Sequence, residues 1–156
     1  IMGCQEKIDI KAEKEAIKAV ITEETSAFLA QDLVSLLKTL TMDENSVYIR
    51  VDSKEYREMI GWDKIYPYYK KSATSDWSDY SDYKVSKTNW FIEVFNEAAL
   101  AIFDQTMSFK LNGEPMKTHS KEIRVLKKIK GDWKVQMVEW IDMSSFEEGE
   151  VKEKEF

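Results

Sequence analysis

The stretch Val85–Met143, VSKTNWFIEVFNEAALAIFDQTMSFKLNGEPMKTHSKEIRVLKKIKGDWKVQMVEWIDM, decides the fold. Its apolar residues recur every second position, the period of a pleated strand and not of a helix. From Val85 to Phe95, Trp90, Ile92 and Val94 fall on one side and Asn89, Phe91, Glu93 and Phe95 on the other. From Ala98 to Phe109, Ala99, Ala101, Phe103, Met107 and Phe109 oppose Leu100, Ile102, Asp104 and Thr106. A third strand, Thr118–Ile129, sends Ile123, Val125 and Ile129 one way and Glu122, Arg124, Leu126 and Lys128 the other. A fourth, Trp133–Met143, sets Val135, Met137, Glu139 and Ile141 against Gln136, Val138 and Trp140. The breaks between them, Asn96-Glu97, Leu111–Pro115 and Lys130-Gly131-Asp132, carry turn residues. An antiparallel sheet follows. Both of its faces carry apolar side chains, so each face is expected to be covered, one by helices and one by a partner subunit.

Upstream, the period lengthens. Ile17, Val20, Ile21, Phe28 and Leu29 make residues 12–30 an amphipathic helix. Gln31-Asp32 interrupts it, and Asp32 is placed to cap a second, short helix over Leu33–Leu40. Ser46–Val51 is a short strand candidate, Asp52–Glu55 reads as a polar loop with Tyr56 and Met59 returning the chain to the core, and Gly61-Trp62-Asp63-Lys64-Ile65 begins a helix reaching about Ser72. Pro67 falls in its first turns, and the Ser/Asp-rich run Ala73–Asp82 reads as a loop.

Composition narrows the function classes. With 156 residues, 5 Gly and 2 Pro, the chain is expected to hold one folded domain over 12–146, a tether over 1–11 and a charged tail over 147–156. A net charge of -6 argues against a nucleic-acid partner, which selects for a concentrated basic surface. One Cys permits no internal disulfide. Its setting, Ile1-Met2-Gly3-Cys4, resembles the end of a bacterial lipoprotein signal. That resemblance implies a lipidated Cys4 and a cell-envelope location, with membrane contact only through the lipid; an incidental Cys and a cytoplasmic protein are the alternative.

The order helix, short helix, strand, helix, four long strands resembles the NTF2-like superfamily, particularly its SnoaL-like, DUF4440-type branch. The likeness rests on the paired helices of Ala12–Leu40, Ser46–Val51, the glycine-led Gly61–Ile65, and Glu122–Leu126 followed by Gly131-Asp132-Trp133-Lys134-Val135. It covers about residues 12–143. It implies an α+β, cystatin-like cone: N-terminal helices packed on a curved, mixed, mostly antiparallel sheet around a cavity, with homodimers formed through the outer sheet face. The family holds cyclases, isomerases, dehydratases, association domains and plain ligand binders, so the fold does not select among them.

Chemistry in such a cavity needs an acid or imidazole in apolar surroundings. In the ketosteroid isomerase pattern the base follows the first strand, but here that position falls near Ile49, with Asp52 in a turn. The catalytic candidates are therefore Asp104, Glu139 and His119. Asp104 is the one acid within its strand; turned inward it is an acid/base, turned outward it pairs with a base such as Arg124. Glu139 sits on the last strand, and His119 at the start of the third. Tyr48, Tyr56, Trp62, Tyr66, Tyr69, Trp90 and Trp140 are candidates for a ligand-binding wall, since they combine large apolar area with polar heads. A lone His with no Cys/His/Asp cluster offers no metal site, and no phosphate loop or nucleotide fingerprint is present, so no cofactor is expected. Three functions stand open: binding of a small, mostly apolar or amphipathic molecule; acid-base isomerase, cyclase or dehydratase chemistry; and an association module with a filled cavity.

Overall fold

Two of the turns are sharp enough to fix the sheet. Asn112-Gly113 (φ 53° and 83°) and Lys130-Gly131 (φ 52° and 90°) both place two successive residues in the left-handed region. That is the twist a two-residue hairpin needs. A computed structural model describes residues 9–144. Its elements are α1 (Ile10–Leu29), α2 (Leu33–Thr39), β1 (Val47–Val51), β2 (Tyr56–Ile60), α3 (Trp62–Thr74), β3 (Tyr80–Phe95), β4 (Ala98–Leu111), β5 (Glu114–Ile129) and β6 (Asp132–Asp142). Cys4, residues 1–8 of the expected tether and the charged tail lie outside the described residues; the last three tether residues belong to the helix, Asp9 capping α1 and Ile10 and Lys11 opening it.

The strands form one sheet in the order β2-β1-β6-β5-β4-β3, antiparallel except where β1 runs parallel to β6. Helices cover one face. Ile17, Ile21, Ala27, Leu36 and Ile65 from the helices meet Ala99, Ala101, Phe103, Leu126, Val135 and Val138 of the sheet. Glu13 ties the start of α1 to the β5–β6 hairpin, accepting from Lys128 Nζ and Trp133 Nε1 at 2.6 Å each. Asp32 caps α2 through Ser35 N at 3.0 Å, as its position predicts. Gln31 Nε2 donates to the carbonyls of Ser72 and Ser75 at 2.8 Å each, satisfying acceptors at the end of α3.

The structure departs from the sequence expectation in three places. After Asp52–Glu55 the chain returns as an edge strand, Tyr56–Ile60 pairing antiparallel with β1, with Met59 against the core but Tyr56 exposed. β3 begins at Tyr80, inside the run read as a loop. In β6, Gln136 is an extra residue: Leu126 pairs with Val135 while Val125 pairs with Met137. That bulge turns Val135 inward with Val138, instead of outward with Met137.

Gly61 caps α3 at φ 95°, ψ 141°, a region open essentially to glycine. A Cβ there would stand 2.6 Å from Asp63 Oδ1. Gly61→Ala should cost about 1–3 kcal/mol in urea unfolding. A loss under ~0.5 kcal/mol would show that the turn relaxes freely.

Candidate functional site

The inner face of the sheet is more polar than its neighbours suggest. On β5, Ser120, Glu122 and Arg124 alternate in phase with the buried Leu126, and all of them are buried. Arg124 Nε donates to Glu24 Oε2 of α1 at 3.2 Å, and Nη1 donates to Glu122 Oε2 at 2.9 Å. The same nitrogen reaches the carbonyls of Ile123 and Glu139 at 3.1 and 3.3 Å. The other oxygen of Glu122 accepts from Ser120 Oγ (2.7 Å) and Gln105 Nε2 (3.2 Å). Burial pushes the Glu122 carboxyl up, and the Arg124 guanidinium pulls against it.

Gln105 carries this network to Lys87 on β3, whose Nζ donates to Gln105 Oε1 and, at 2.9 Å, to Thr25 Oγ1. The Lys87 ammonium lies 5.2 Å from the ring centre of Phe103. Burial lowers its pKa to about 8, while the nearby Glu24 and Glu122 oppose that shift.

Above Lys87 a cleft of about 550 Å³ separates α1 from β3, a volume typical of small-molecule sites. One helical face of α1, Lys18, Thr22, Thr25, Ser26 and Leu29, forms one wall; Tyr83, Val85, Lys87 and Trp90 form the other. Trp90 stacks on the buried Phe103, with ring centres 4.3 Å apart. Strict alternation would put Lys87 with Asn89 on the opposite side from Trp90. A bulge between Thr88 and Phe91, with Asn89 at φ 53°, restores the phase. Lys87 was missed for that reason, and only the Asn in the strand hinted at it.

The expected wall residues do not form one surface. Tyr48, Trp62, Tyr66 and Tyr69 come together with Tyr68 beneath α3, with ring centres 4.9–6.4 Å apart. Tyr48 and Tyr68 share a hydroxyl hydrogen bond of 3.0 Å. Burial pushes both the Tyr48 and Tyr69 phenols up. The cluster is partly buried, and a crevice of about 10 Å³ lies beside Trp62 and Tyr69, room for about one water. Trp90 stands apart from it, at the open cleft. Trp140 also faces inward, under the Arg50 guanidinium at 5.0 Å. Tyr56 does not join them; it is 66% exposed on β2, its hydroxyl donating to Glu58 at 2.9 Å.

The three catalytic candidates lie on strand positions facing away from the cleft. Asp104 pairs in register with Lys121, between the buried Phe103 and Gln105, and so points to the outer face. Lys121 and then Asn89, at 2.6 Å, hold its carboxyl below the usual range. The basic partner is thus Lys121 and not Arg124, which points inward. Glu139 pairs with Ile49 and Ile123, opposite in phase to Arg124 and Val138. His119 pairs with Thr106 on that same outer side, next to the buried Ser120. Asp52 caps its own turn, accepting from Lys54 N and Glu55 N at 2.8 Å each.

No family model and no curated protein sequence matches the chain. Solved structures do match in shape. An NTF2-like superfamily protein from Salmonella enterica serovar Typhimurium is 19% identical, with TM-score 0.69, covering 93% of this chain and 99% of its own. The association domain of C. elegans CaMKII is 17% identical, TM-score 0.68, with 84% and 96% covered. A putative scytalone dehydratase from Novosphingobium aromaticivorans is 13% identical, TM-score 0.67, with 84% of each chain covered. Its helices packed on a curved, mixed, mostly antiparallel sheet, together with these likenesses, give this chain the NTF2-like fold.

Proposed function

We propose that the protein binds a small amphipathic molecule in the α1–β3 cleft, its apolar body on Trp90, Val85 and Leu29 and its acidic or carbonyl head toward Lys87. The observation that carries this is the partly buried Lys87 amine at the floor of a roomy cleft with an indole wall. Its described hydrogen-bond acceptors, Thr25 and Gln105, are both neutral, so its charge is open to a ligand's. The relation to the SnoaL-like branch belongs to the same proposal, supported by the strand, Gly131-Asp132-Trp133 turn and strand near the C-terminus.

Titration with 2-naphthoate, read by tryptophan fluorescence and by NMR shifts, tests it. Lys87→Met should weaken binding roughly 10–100-fold, the worth of one hydrogen bond to a charged group. Affinity should also fall as pH rises through about 8, where Lys87 loses its charge. Equal affinity in Lys87→Met, or shifts centred away from α1 and β3, would overturn the assignment.

A second copy of the chain is proposed to cover the outer sheet face. Phe91 and Phe95 are 52% and 59% exposed, and Leu100, Ile102, Ile123 and Val125 share that side by register. Such a patch ordinarily marks an interface. Light scattering should give a dimer, and Ile102→Lys a monomer with near-native circular dichroism. A monomeric wild type at high concentration removes this part and leaves the cleft untouched.

A further inference from the structure

The hydrogen bonding around Lys87 fits a neutral amine as well as an ammonium. Two acceptors, Thr25 Oγ1 and Gln105 Oε1, match the two N–H bonds of an –NH₂ group. Thr25 is itself oriented, donating to the carbonyl of Ile21 at 3.1 Å. That leaves one tetrahedral position on the nitrogen, and Lys87 lines the cleft. The charges around it were sought on every packed element. From α1 come Glu24 and Lys18; from β5, Glu122 and Arg124; from β3 itself, Tyr83. Both carboxylates are engaged by Arg124, and among the described residues neither forms an ion pair with Lys87.

We propose that Lys87 forms reversible imines with small aldehydes or ketones whose apolar body enters the α1–β3 cleft. The proposal rests on the cleft being a ligand site. The Nζ lone pair attacks the carbonyl carbon, forming a C–N bond while the C=O π pair moves to oxygen. A proton passes from nitrogen to that oxygen, directly or through water, giving a carbinolamine. Loss of the hydroxyl as water leaves C=N, and hydrolysis reverses the step. No oxidant or cofactor enters. Burial supports the reactive form: with a pKa near 8 in place of 10.5, Lys87 holds roughly 300-fold more free amine at pH 7 than an ordinary lysine.

The test uses 2-naphthaldehyde with cyanoborohydride, which delivers hydride to the iminium and fixes it as a secondary amine. Peptide mass mapping then reads each lysine. At pH 7.5 the label on Lys87 should exceed that on exposed lysines by about tenfold or more, and its initial rate should rise with a midpoint near pH 8. The mapping is done on the wild type, so it survives even if Lys87→Arg fails to fold. Lys117→Arg, at an exposed position of β5 outside the cleft, should leave the Lys87 label unchanged. Label spread over surface lysines, or concentrated on Lys18, overturns the imine. If 2-naphthoate still binds the cleft in that case, the binding reading stands and only the covalent step falls. If neither compound enters the cleft, both fall together.

Discussion

Arg124→Met should lower the unfolding free energy by about 3–5 kcal/mol at pH 7, as measured by urea unfolding, because it leaves buried carboxylates without their cation. The Arg124 side chain is 4% exposed, and those of Glu24 and Glu122 are 7% and 1% exposed. In the native protein the guanidinium spans α1 and β5, so it neutralises two acids from different layers. Acid should partly rescue the variant. Burial already raises the folded pKa of Glu122 above its unfolded value. A raised carboxyl favours folding below the unfolded pKa, and that contribution is lost as pH rises through the folded one. Removing the guanidinium extends this behaviour, so the gap to wild type should narrow as pH falls toward 5. The control is the triple change Glu24→Leu, Glu122→Leu, Arg124→Met, which removes the charges together. It should be less destabilised than Arg124→Met alone. A triple variant worse than the single one would show that the network contributes stability in its own right, and the account of stranded charge would be wrong.

Phe103→Ala should cost about 3–5 kcal/mol, roughly a 10 °C fall in Tm for a chain of this size. Phe103 is fully buried on β4, between the cleft and the charge network. Its ring stacks under Trp90 and lies 5.7 Å from Arg124 Cζ. Deleting it removes the support of the indole wall and opens a void beside buried charges. Phe103→Leu should cost only ~1 kcal/mol, since most of the volume stays. Calorimetry decides it. A Phe103→Ala loss below ~1 kcal/mol would mean the site collapses around the gap, and the Trp90 wall would not depend on Phe103.

The fold was legible where one rule governed each segment. The hairpins were announced by Asn112-Gly113 and Lys130-Gly131, and β4 and β5 alternate cleanly through their central residues. The losses come where one extra residue breaks the period. Asn89 and Gln136 each reverse the phase of what precedes them, which hid the inward turn of Lys87 and of Val135. The β2 strand, YREMI, is a short edge with charges on both sides, and shows no strand period without its partner. Glu122 and Arg124 shared a sequence face with Leu126, but charges at alternate positions ordinarily signal solvent. The helices packed over it, with Glu24 of α1 paired to Arg124, make that face an interior one. The aromatic cluster was legible as a group; that the 550 Å³ cleft lies beside α1 and not against that cluster depends on packing between layers.

The parallel pairing of β1 with β6 sets Val47 beside Met137. As the ribosome releases the chain, β1 and β2 emerge long before the strand that joins them to the rest. The β3–β5 meander can close early from neighbouring residues. The helices can form too, but their main landing surface, around Val135 and Val138, arrives last. Closure over so long a span is a slow step. A nascent chain stopped after Ile129 should therefore remain open to protease, and protection should appear abruptly once Asp142 has cleared the exit tunnel.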